Sequence, residues 1–370
     1  MKRFFGLERK FGFGCMRLPL VGEEVDIPQF SKMVDRFLEE GFIYFDTAHG
    51  YLNGKSETAI KTALTSRYSR ESYILTDKLT KPYFSKEEDV RPFFESQLKA
   101  CGVDYFDFYL MHAQNKDIYQ HFQKCHAYEV ASQLKKEGKI KHLGISFHDT
   151  AEVLDQILTE HPEIEVVQIQ FNYLDYEDPA VQSRLCYETC VKHAKPVIIM
   201  EPVRGGRLIE LPDKAKAILD ESGEKPAHLA IRFAASPENV MIVLSGMSTI
   251  EQMEDNISFM KDFKPLDPNE MLLSQRIASA IREENLIGCT ACRYCVAGCP
   301  KHILIPDLFA CLNTKEHFHD WNAEYYYNTV YTVGHGKASE CIRCGKCEAI
   351  CPQKLPIRDL LRRTAEAFEN

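Results

Sequence analysis

Phe106-Asp-Phe-Tyr-Leu-Met-His112 is a run of seven residues, mostly aromatic or aliphatic, that ends on a histidine. Its length and its flanking turn residues (Gly102 and Asp104 before, Asn115 after) suit a strand buried on both faces of a parallel sheet. The same pattern recurs in both directions along the chain. Strands are expected at 42–46, 73–78, 140–146, 166–169, 197–200 and 241–245, with a weaker eighth at 262–265. Amphipathic helical patterns separate them at 56–67, 88–101, 119–137, 150–159, 179–194, 226–235, 250–260 and 268–284. Alternating strands and helices imply a parallel sheet. Eight such units predict an α/β fold of the closed (β/α)8 TIM-barrel type. A doubly wound open sheet is the alternative, and the lack of a G-x-G-x-x-G after the first strand weighs against it. An extra hairpin is expected at 4–20, ahead of the barrel.

The chain has 370 residues, 45% hydrophobic and 27% charged, which suits a soluble barrel plus one small domain. Its formal charge of −9 argues against a nucleic-acid partner. No run of 18 apolar residues suggests a membrane span, and the charged residues Lys2, Arg3, Glu8, Arg9 and Lys10 leave no apolar signal segment. The expected location is the cytoplasm, where 14 cysteines would stay reduced or bind metal.

Composition changes after residue 285, and a boundary near Leu286 divides the chain into a barrel, 1–285, and a small domain, 286–370. The second part carries Cys289-Thr-Ala-Cys292-Arg-Tyr-Cys295-Val-Ala-Gly-Cys299-Pro300 and Cys341-Ile-Arg-Cys344-Gly-Lys-Cys347-Glu-Ala-Ile-Cys351-Pro352. Both resemble the C-x2-C-x2-C-x3-C-P run of bacterial ferredoxins. Three close thiolates wrap one corner set of a cubane, and the fourth lies too far round to close the same one. In two-cluster ferredoxins it ligates the other cluster. The resemblance therefore implies a ferredoxin-like domain with two [4Fe–4S] clusters. Cys289, Cys292, Cys295 and Cys351 would hold one, and Cys341, Cys344, Cys347 and Cys299 the other. Each proline would end the pattern and orient the fourth thiolate. Zinc is the alternative for paired C-x2-C, but it requires neither the third cysteine nor C-P twice over. Cys186, Cys190 and Cys311 read as core thiols. Tyr325–Tyr327 reads as a packing element, with a cover for the barrel mouth or a wall against a cluster as alternatives.

Asp46-Thr-Ala-His-Gly-Tyr51, Thr76-Asp-Lys78 and Tyr109-Leu-Met-His112 fall at or just after successive strand ends, the face on which barrels carry their chemistry. With Gly12-Phe-Gly14 and Met16-Arg-Leu-Pro19, they give residues 11–263 a resemblance to the aldo/keto reductase superfamily. That resemblance implies reduction of a carbonyl, or oxidation of an alcohol, with a nicotinamide cofactor and a catalytic tetrad of Asp46, Tyr51, Lys78 and His112. The chemistry is self-consistent. Hydride addition leaves charge on the carbonyl oxygen, and Tyr51 supplies the proton. Lys78 stabilises the phenolate, Asp46 holds Lys78, and His112 polarises the carbonyl. Taken singly, each residue has a plain structural reading as a cap, an ion-pair member or a core histidine; His49 reads as a loop residue.

The resemblance extends to the cofactor. Ser146 and Gln168 match residues that grip the carboxamide, although Phe147 replaces an asparagine and Met200 stands where an aromatic ring usually stacks. Arg204, Gly205 and Gly206 would approach the pyrophosphate. Ser245, Gly246, Gln252 and Asn256 match the adenosine segment. Gly246 and Gln252 stand where NADPH-preferring relatives place cations, so NADH is expected over NADPH. A flavin would bridge hydride and one-electron chemistry, but no motif indicates one. The expected function is an oxidoreductase whose clusters link a small carbonyl or alcohol substrate to a redox partner protein. The alternative is an electron-transfer or redox-sensing protein whose barrel is a docking module with a vestigial tetrad.

Overall fold

The computed structural model describes residues 4–178, 181–283, 287–289, 291–318, 321–351 and 353–369. The expected boundary at Leu286, the helix start at Pro179 and the turn at Pro352 lie outside these residues. Eight parallel strands close into a barrel: β1 (Phe11–Gly14), β2 (Tyr44–Asp46), β3 (Ile74–Leu79), β4 (Phe106–Gln114), β5 (Ile140–Phe147), β6 (Val166–Gln170), β7 (Val197–Met200) and β8 (Val240–Gly246). Each strand pairs with its neighbours in chain order, and β1 closes the ring between β8 and β2.

The first strand differs from expectation. Residues 11–14 form a barrel strand rather than half of a hairpin, and residues 262–265 form no strand. Alternation explains the difference. Phe11 and Phe13 face outward onto the helix Ile27–Glu39, with Phe13 ring contacts at 5.7 Å to Phe30 and 5.4 Å to Phe37. Gly12 faces inward, where a Cβ would lie 2.9 Å from Ile242 and Leu244 and 3.0 Å from Tyr44. Segment 262–265 has only a half-buried Phe263 among exposed residues, too little apolar surface to hold a strand. The hairpin exists but is smaller and later, pairing Leu20–Val21 with Glu24–Val25.

The helix Ile27–Glu39, absent from the sequence-based expectation, starts where Asp26 accepts the Gln29 N–H at 3.0 Å. The helix Asp213–Ser222 is likewise additional. The long helix expected at 119–137 is two, Lys116–Lys124 and Ala127–Lys136, broken where His126 turns left-handed at φ 47°. That break turns Tyr119, Phe122 and Tyr128 onto one another, with Tyr128 centroids 5.9 and 6.3 Å from the other two. The other helices lie close to expectation.

A small core fills the barrel itself, built on inward residues such as Tyr44, Phe108, Leu110, Val166, Ile198, Ile242 and Leu244. A larger shell joins strands to helices. A separate core lies after the barrel, around Ile303, Ile305, Leu308, Phe309, Cys311, Leu312 and Leu361, and takes in Val181 from the barrel. It is built on the helices Ile305–Phe318 and Ile357–Phe368. Among the described residues, no helix is long and apolar enough to cross a membrane.

Gly144 is the tightest inward position. An added Cβ would lie 2.6 Å from both Leu110 and Val166 side chains and 2.7 Å from the Val166 carbonyl oxygen. Gly144→Ala is expected to destabilise the barrel by about 1–3 kcal/mol, read by chemical denaturation; unchanged stability would mean that strands β4 and β6 part at no cost.

Candidate active site

Side chains two apart on a strand share a face. The inward parity that carries Tyr44, Phe108 and Leu110 in the barrel core therefore carries Asp46 and His112 two positions further on, at the upper ends of β2 and β4. Lys78 follows Thr76, whose hydroxyl donates to Tyr44 at 2.6 Å inside the barrel. Packing at the bottom and chemistry at the top are thus one pattern.

The four expected catalytic residues converge. The fully buried Lys78 ammonium donates to Asp46 Oδ1 at 2.6 Å, to the Thr47 carbonyl at 2.7 Å and to the Tyr51 hydroxyl at 3.3 Å. Gln168 donates to the other Asp46 oxygen at 3.3 Å. Burial works against the Lys78 charge, but Asp46 and then Tyr51 outweigh it, so Lys78 lies above the ordinary lysine range. Burial also raises Asp46 and Tyr51, with Lys78 opposing the rise in both. His112 is driven well below the ordinary histidine range by burial, then by the positive charge of Lys78 and by His148. Its Nδ1 lies 2.8 Å from the Thr80 hydroxyl, and its ring stands edge-on to Tyr51 at 6.1 Å. The site thus holds a charged lysine, a protonated phenol and a neutral imidazole.

Beneath it, Gln97 donates to Glu57 at 3.2 Å, to Asp77 at 3.0 Å and to the Lys78 carbonyl at 3.1 Å. Burial and then Glu57 push Asp77 well above the carboxylate range. His49 pairs with Glu57 at 2.9 Å, a structural contact in keeping with its loop reading.

Asp46, Tyr51 and His112 line a cleft of about 760 Å3 at the barrel mouth. Of the expected cofactor residues, Ser146, Gln168, Gly205, Gly206, Ser245, Gly246, Gln252 and Asn256 line it too. Ser146 accepts the Ala113 N–H at 2.8 Å, and Asn256 donates to Ser245 at 3.2 Å. Met200 is also on the wall. Arg204 is not. It is 3% exposed, and its Nε donates to Asp175 at 2.9 Å, so this guanidinium is committed to a buried ion pair rather than turned to a phosphate. A different arginine lines the cleft. Arg17 is exposed, its stem passes 3.3 Å from where a Gly246 Cβ would sit, and its guanidinium reaches 3.4 Å from the same position on Gly205. Reading 4–20 as a hairpin ahead of the barrel hid Arg17, because only a barrel strand at 11–14 delivers it to the mouth. His148 and Trp321 on the wall were missed, and Tyr325, read first as a packing residue with a cover for the barrel mouth as an alternative, is on it too. The last two belong to the segment after the barrel, and sequence periodicity does not report which distant helix covers a mouth.

The cysteines gather in two small pockets. One is lined by Cys289, Cys292, Cys295 and Cys351 between Ile305, Phe309 and Leu355. The other is lined by Cys299, Cys341, Cys344 and Cys347 beside Ile303 and Leu361. Each pocket takes three cysteines from one motif and the fourth from the other. None of the eight is in a disulfide, and one in each set, Cys292 and Cys344, is exposed. A four-thiol lining with apolar walls fits an iron–sulfur cubane by donor chemistry. Cys186 and Cys190 are buried in the shell of the barrel and Cys311 in the second core.

A closed eight-stranded barrel with a Lys–Asp–Tyr–His group at the mouth of its central cleft is the architecture of a barrel oxidoreductase. The Aldo/keto reductase family matches residues 10–278, and the 4Fe-4S dicluster domain matches residues 288–355. The chain belongs to the aldo/keto reductase family. It is 29% identical over 155 residues to human aldo-keto reductase family 1 member C3, a match covering 36% of this chain and 46% of that one, so it spans about half the length of that relative. It is 25% identical over 307 residues to dihydrodiol dehydrogenase 3 of Bos taurus, covering 75% of this chain and 90% of that one. In fold it is similar to the holo form of aldo-keto reductase AKR11C1 from Bacillus halodurans (TM-score 0.59, 24% identity, 73% of this chain and 92% of that one). It is also similar to an aldo-keto reductase from Klebsiella pneumoniae solved with NADPH (TM-score 0.58, 20% identity, 73% and 90%).

The buried Arg204–Asp175 pair makes a structural prediction. Asp175→Ala removes the carboxylate 2.9 Å from the buried guanidinium and is expected to cost about 1–3 kcal/mol in chemical denaturation; a loss below about 1 kcal/mol would show the pair to be solvated.

Proposed function

We propose that this chain reduces a small carbonyl compound, or oxidises the corresponding alcohol, with a nicotinamide cofactor at the tetrad. In this reading residues 1–285 form the reductase barrel. Residues 286–370 form a ferredoxin-like module whose two cysteine sets hold two [4Fe–4S] clusters and pass electrons to a redox partner protein. The observation that carries the reading is the buried Lys78, 2.6 Å from Asp46 and 3.3 Å from the Tyr51 hydroxyl at the floor of the cleft.

When bound, the nicotinamide supplies or takes the hydride. Tyr51, held protonated by burial, gives its proton to the carbonyl oxygen. Lys78, held charged by Asp46, stabilises the phenolate left behind. With the Thr80 hydroxyl, 2.8 Å away, donating to Nδ1, His112 has its Nε2–H free to polarise the carbonyl. The nicotinamide carboxamide has Ser146 and Gln168 as partners, and the adenosine end has Ser245, Gly246, Gln252 and Asn256. Gly246 and Gln252 offer a 2′-phosphate no charge, which favours NADH, while Arg17 beside Gly205 and Gly246 suits the dinucleotide phosphates. In the cysteine pockets, bound clusters would supply one-electron transfer, with exposed Cys292 and Cys344 marking the sides open to a partner.

Tyr51→Phe is expected to lower carbonyl turnover at least about 100-fold while leaving dinucleotide Kd within about threefold. Retained turnover would remove Tyr51 from the chemistry. Because His112 is depressed and Tyr51 raised, neither changes protonation between about pH 6 and 8, so the reduction rate should be flat there; a limb near pH 6.5 would show His112 titrating. Arg17→Gln is expected to raise Kd about tenfold for NADH and NADPH alike. A rise for NADPH alone would move Arg17 to the 2′-phosphate and reverse the NADH preference. Anaerobic titration of iron-loaded protein with NADH tests the coupling. Bleaching of the cluster absorbance supports electron exchange between the two parts, and no bleaching with the dinucleotide bound separates them.

A further inference from the structure

The two cysteine sets differ in what surrounds them. The set of Cys289, Cys292, Cys295 and Cys351 has one charged side chain in its lining, Arg293, and that guanidinium donates to the buried Asp307 at 2.8 Å. The set of Cys299, Cys341, Cys344 and Cys347 has three, Lys301, Lys346 and Arg358, and no carboxylate. Arg358 is paired with Glu348 at 2.7 Å, and the neighbouring Asp359 is taken by Arg343 at 3.0 Å. Lys301 and Lys346 are exposed, and among the described residues neither makes an ion pair or a side-chain hydrogen bond. In a chain of formal charge −9, this is a local excess of positive charge.

Apolar surface lies beside it. Ile342, which lines the same pocket, is 57% exposed, and Ile350 is 54% exposed. Ile350 stands four residues after Lys346 on the short helix Lys346–Ile350, so the two side chains are neighbours on one face. Cys344, between Ile342 and Lys346 in the chain, is the exposed thiol of the set. A lone exposed isoleucine is ordinary. Two of them beside unpaired lysines, around the exposed thiol, have the layout of a transient redox interface, a small apolar centre with a charged rim. Such encounters bury little surface, and their rates depend on charge steering.

We propose that this face docks a small acidic one-electron carrier protein, with Lys301 and Lys346 meeting its carboxylates and Ile342 and Ile350 meeting apolar atoms around its redox centre. The inference rests on the electron-transfer reading of the cysteine module. It adds which cysteine set faces the partner and which charge the partner carries. The carrier gains one electron and the cluster at this set loses one; no bond between the two proteins is made or broken, and a flavin carrier takes its proton from water.

The test uses the full, iron-loaded chain, reduced with dithionite and freed of excess reductant. It is mixed anaerobically in a stopped-flow with an acidic flavodoxin or, separately, with a basic cytochrome c. The second-order rate for flavodoxin should fall at least about fivefold as salt rises to about 0.2 M. The overall negative charge of the chain acts the other way, so a rate that rises with salt would overturn the inference without any variant. The double substitution Lys301→Glu, Lys346→Glu should slow flavodoxin at least about tenfold and speed cytochrome c at least about threefold. Opposite directions are diagnostic, because a change in cluster potential alone would move both carriers the same way. Tyr294→Glu, which puts a negative charge beside the other set, should leave both rates within about twofold. Cluster absorbance reports that each variant folds and holds its clusters. Rates that move together or stay unchanged in the lysine variant, or opposite shifts in Tyr294→Glu instead, would overturn the inference and leave the electron-transfer reading standing. Reduced clusters that pass electrons to neither carrier would overturn the electron-transfer reading and the inference with it.

Discussion

An ammonium with no solvent exposure is the constraint around which this site is built. Desolvating Lys78 costs several kcal/mol, and only close, well-oriented partners offset that. Asp46, the Thr47 carbonyl and the Tyr51 hydroxyl are those partners, and Gln168 holds the second Asp46 oxygen from across the barrel. The geometry requires β2 and β3 to be neighbours in register, Asp46 opposite Thr76, and β6 to face them across a closed ring. Opening the barrel would separate Gln168 from Asp46 and admit water to the ion pair. The fold and the charge state of the site therefore depend on each other.

The second dependency runs between the barrel and the segment that follows it. Tyr326 bonds Gln170, Asn322 bonds Glu201, and Tyr325 bonds Asn115, so one short helix reaches three of the barrel's loops and strand ends. The same helix packs into the core that backs the cysteine pockets through Tyr326, Phe309 and Ile305. The helix thus lines the cleft through Trp321 and Tyr325 and joins the core behind the cysteine pockets through Tyr326, so cleft and pockets lie in one packed structure.

Much of this was legible in advance because the signals are local. Seven barrel strands lie within two residues of their expected positions, since a run of apolar residues ending in a turn is a property of the run itself. The tetrad was legible because its members stand at or just after successive strand ends. The crossed cysteine sets followed from a spacing in which three thiols fit one pocket and the fourth does not. The eighth strand was not legible. Phe11-Gly-Phe-Gly14 buries two rings outward and two glycines inward, and glycine gives no inward signal until Tyr44, Ile242 and Leu244 are in place around it. Misplacing that strand concealed Arg17. Arg204 was misread because its partner, Asp175, lies 29 residues earlier on another loop.

Residue type, spacing and strand periodicity determined a barrel of βα units, a Lys–Asp–Tyr–His group at one end of it and two four-cysteine sets. Each follows from interactions between residues close in the chain or repeated at a fixed period. Only the tertiary structure decided which strand closes the ring, which arginine faces the cleft, and that a helix beyond the barrel puts Trp321 and Tyr325 on the cleft wall. Those outcomes depend on contacts across long stretches of chain, where packing and burial select a partner that no local pattern encodes.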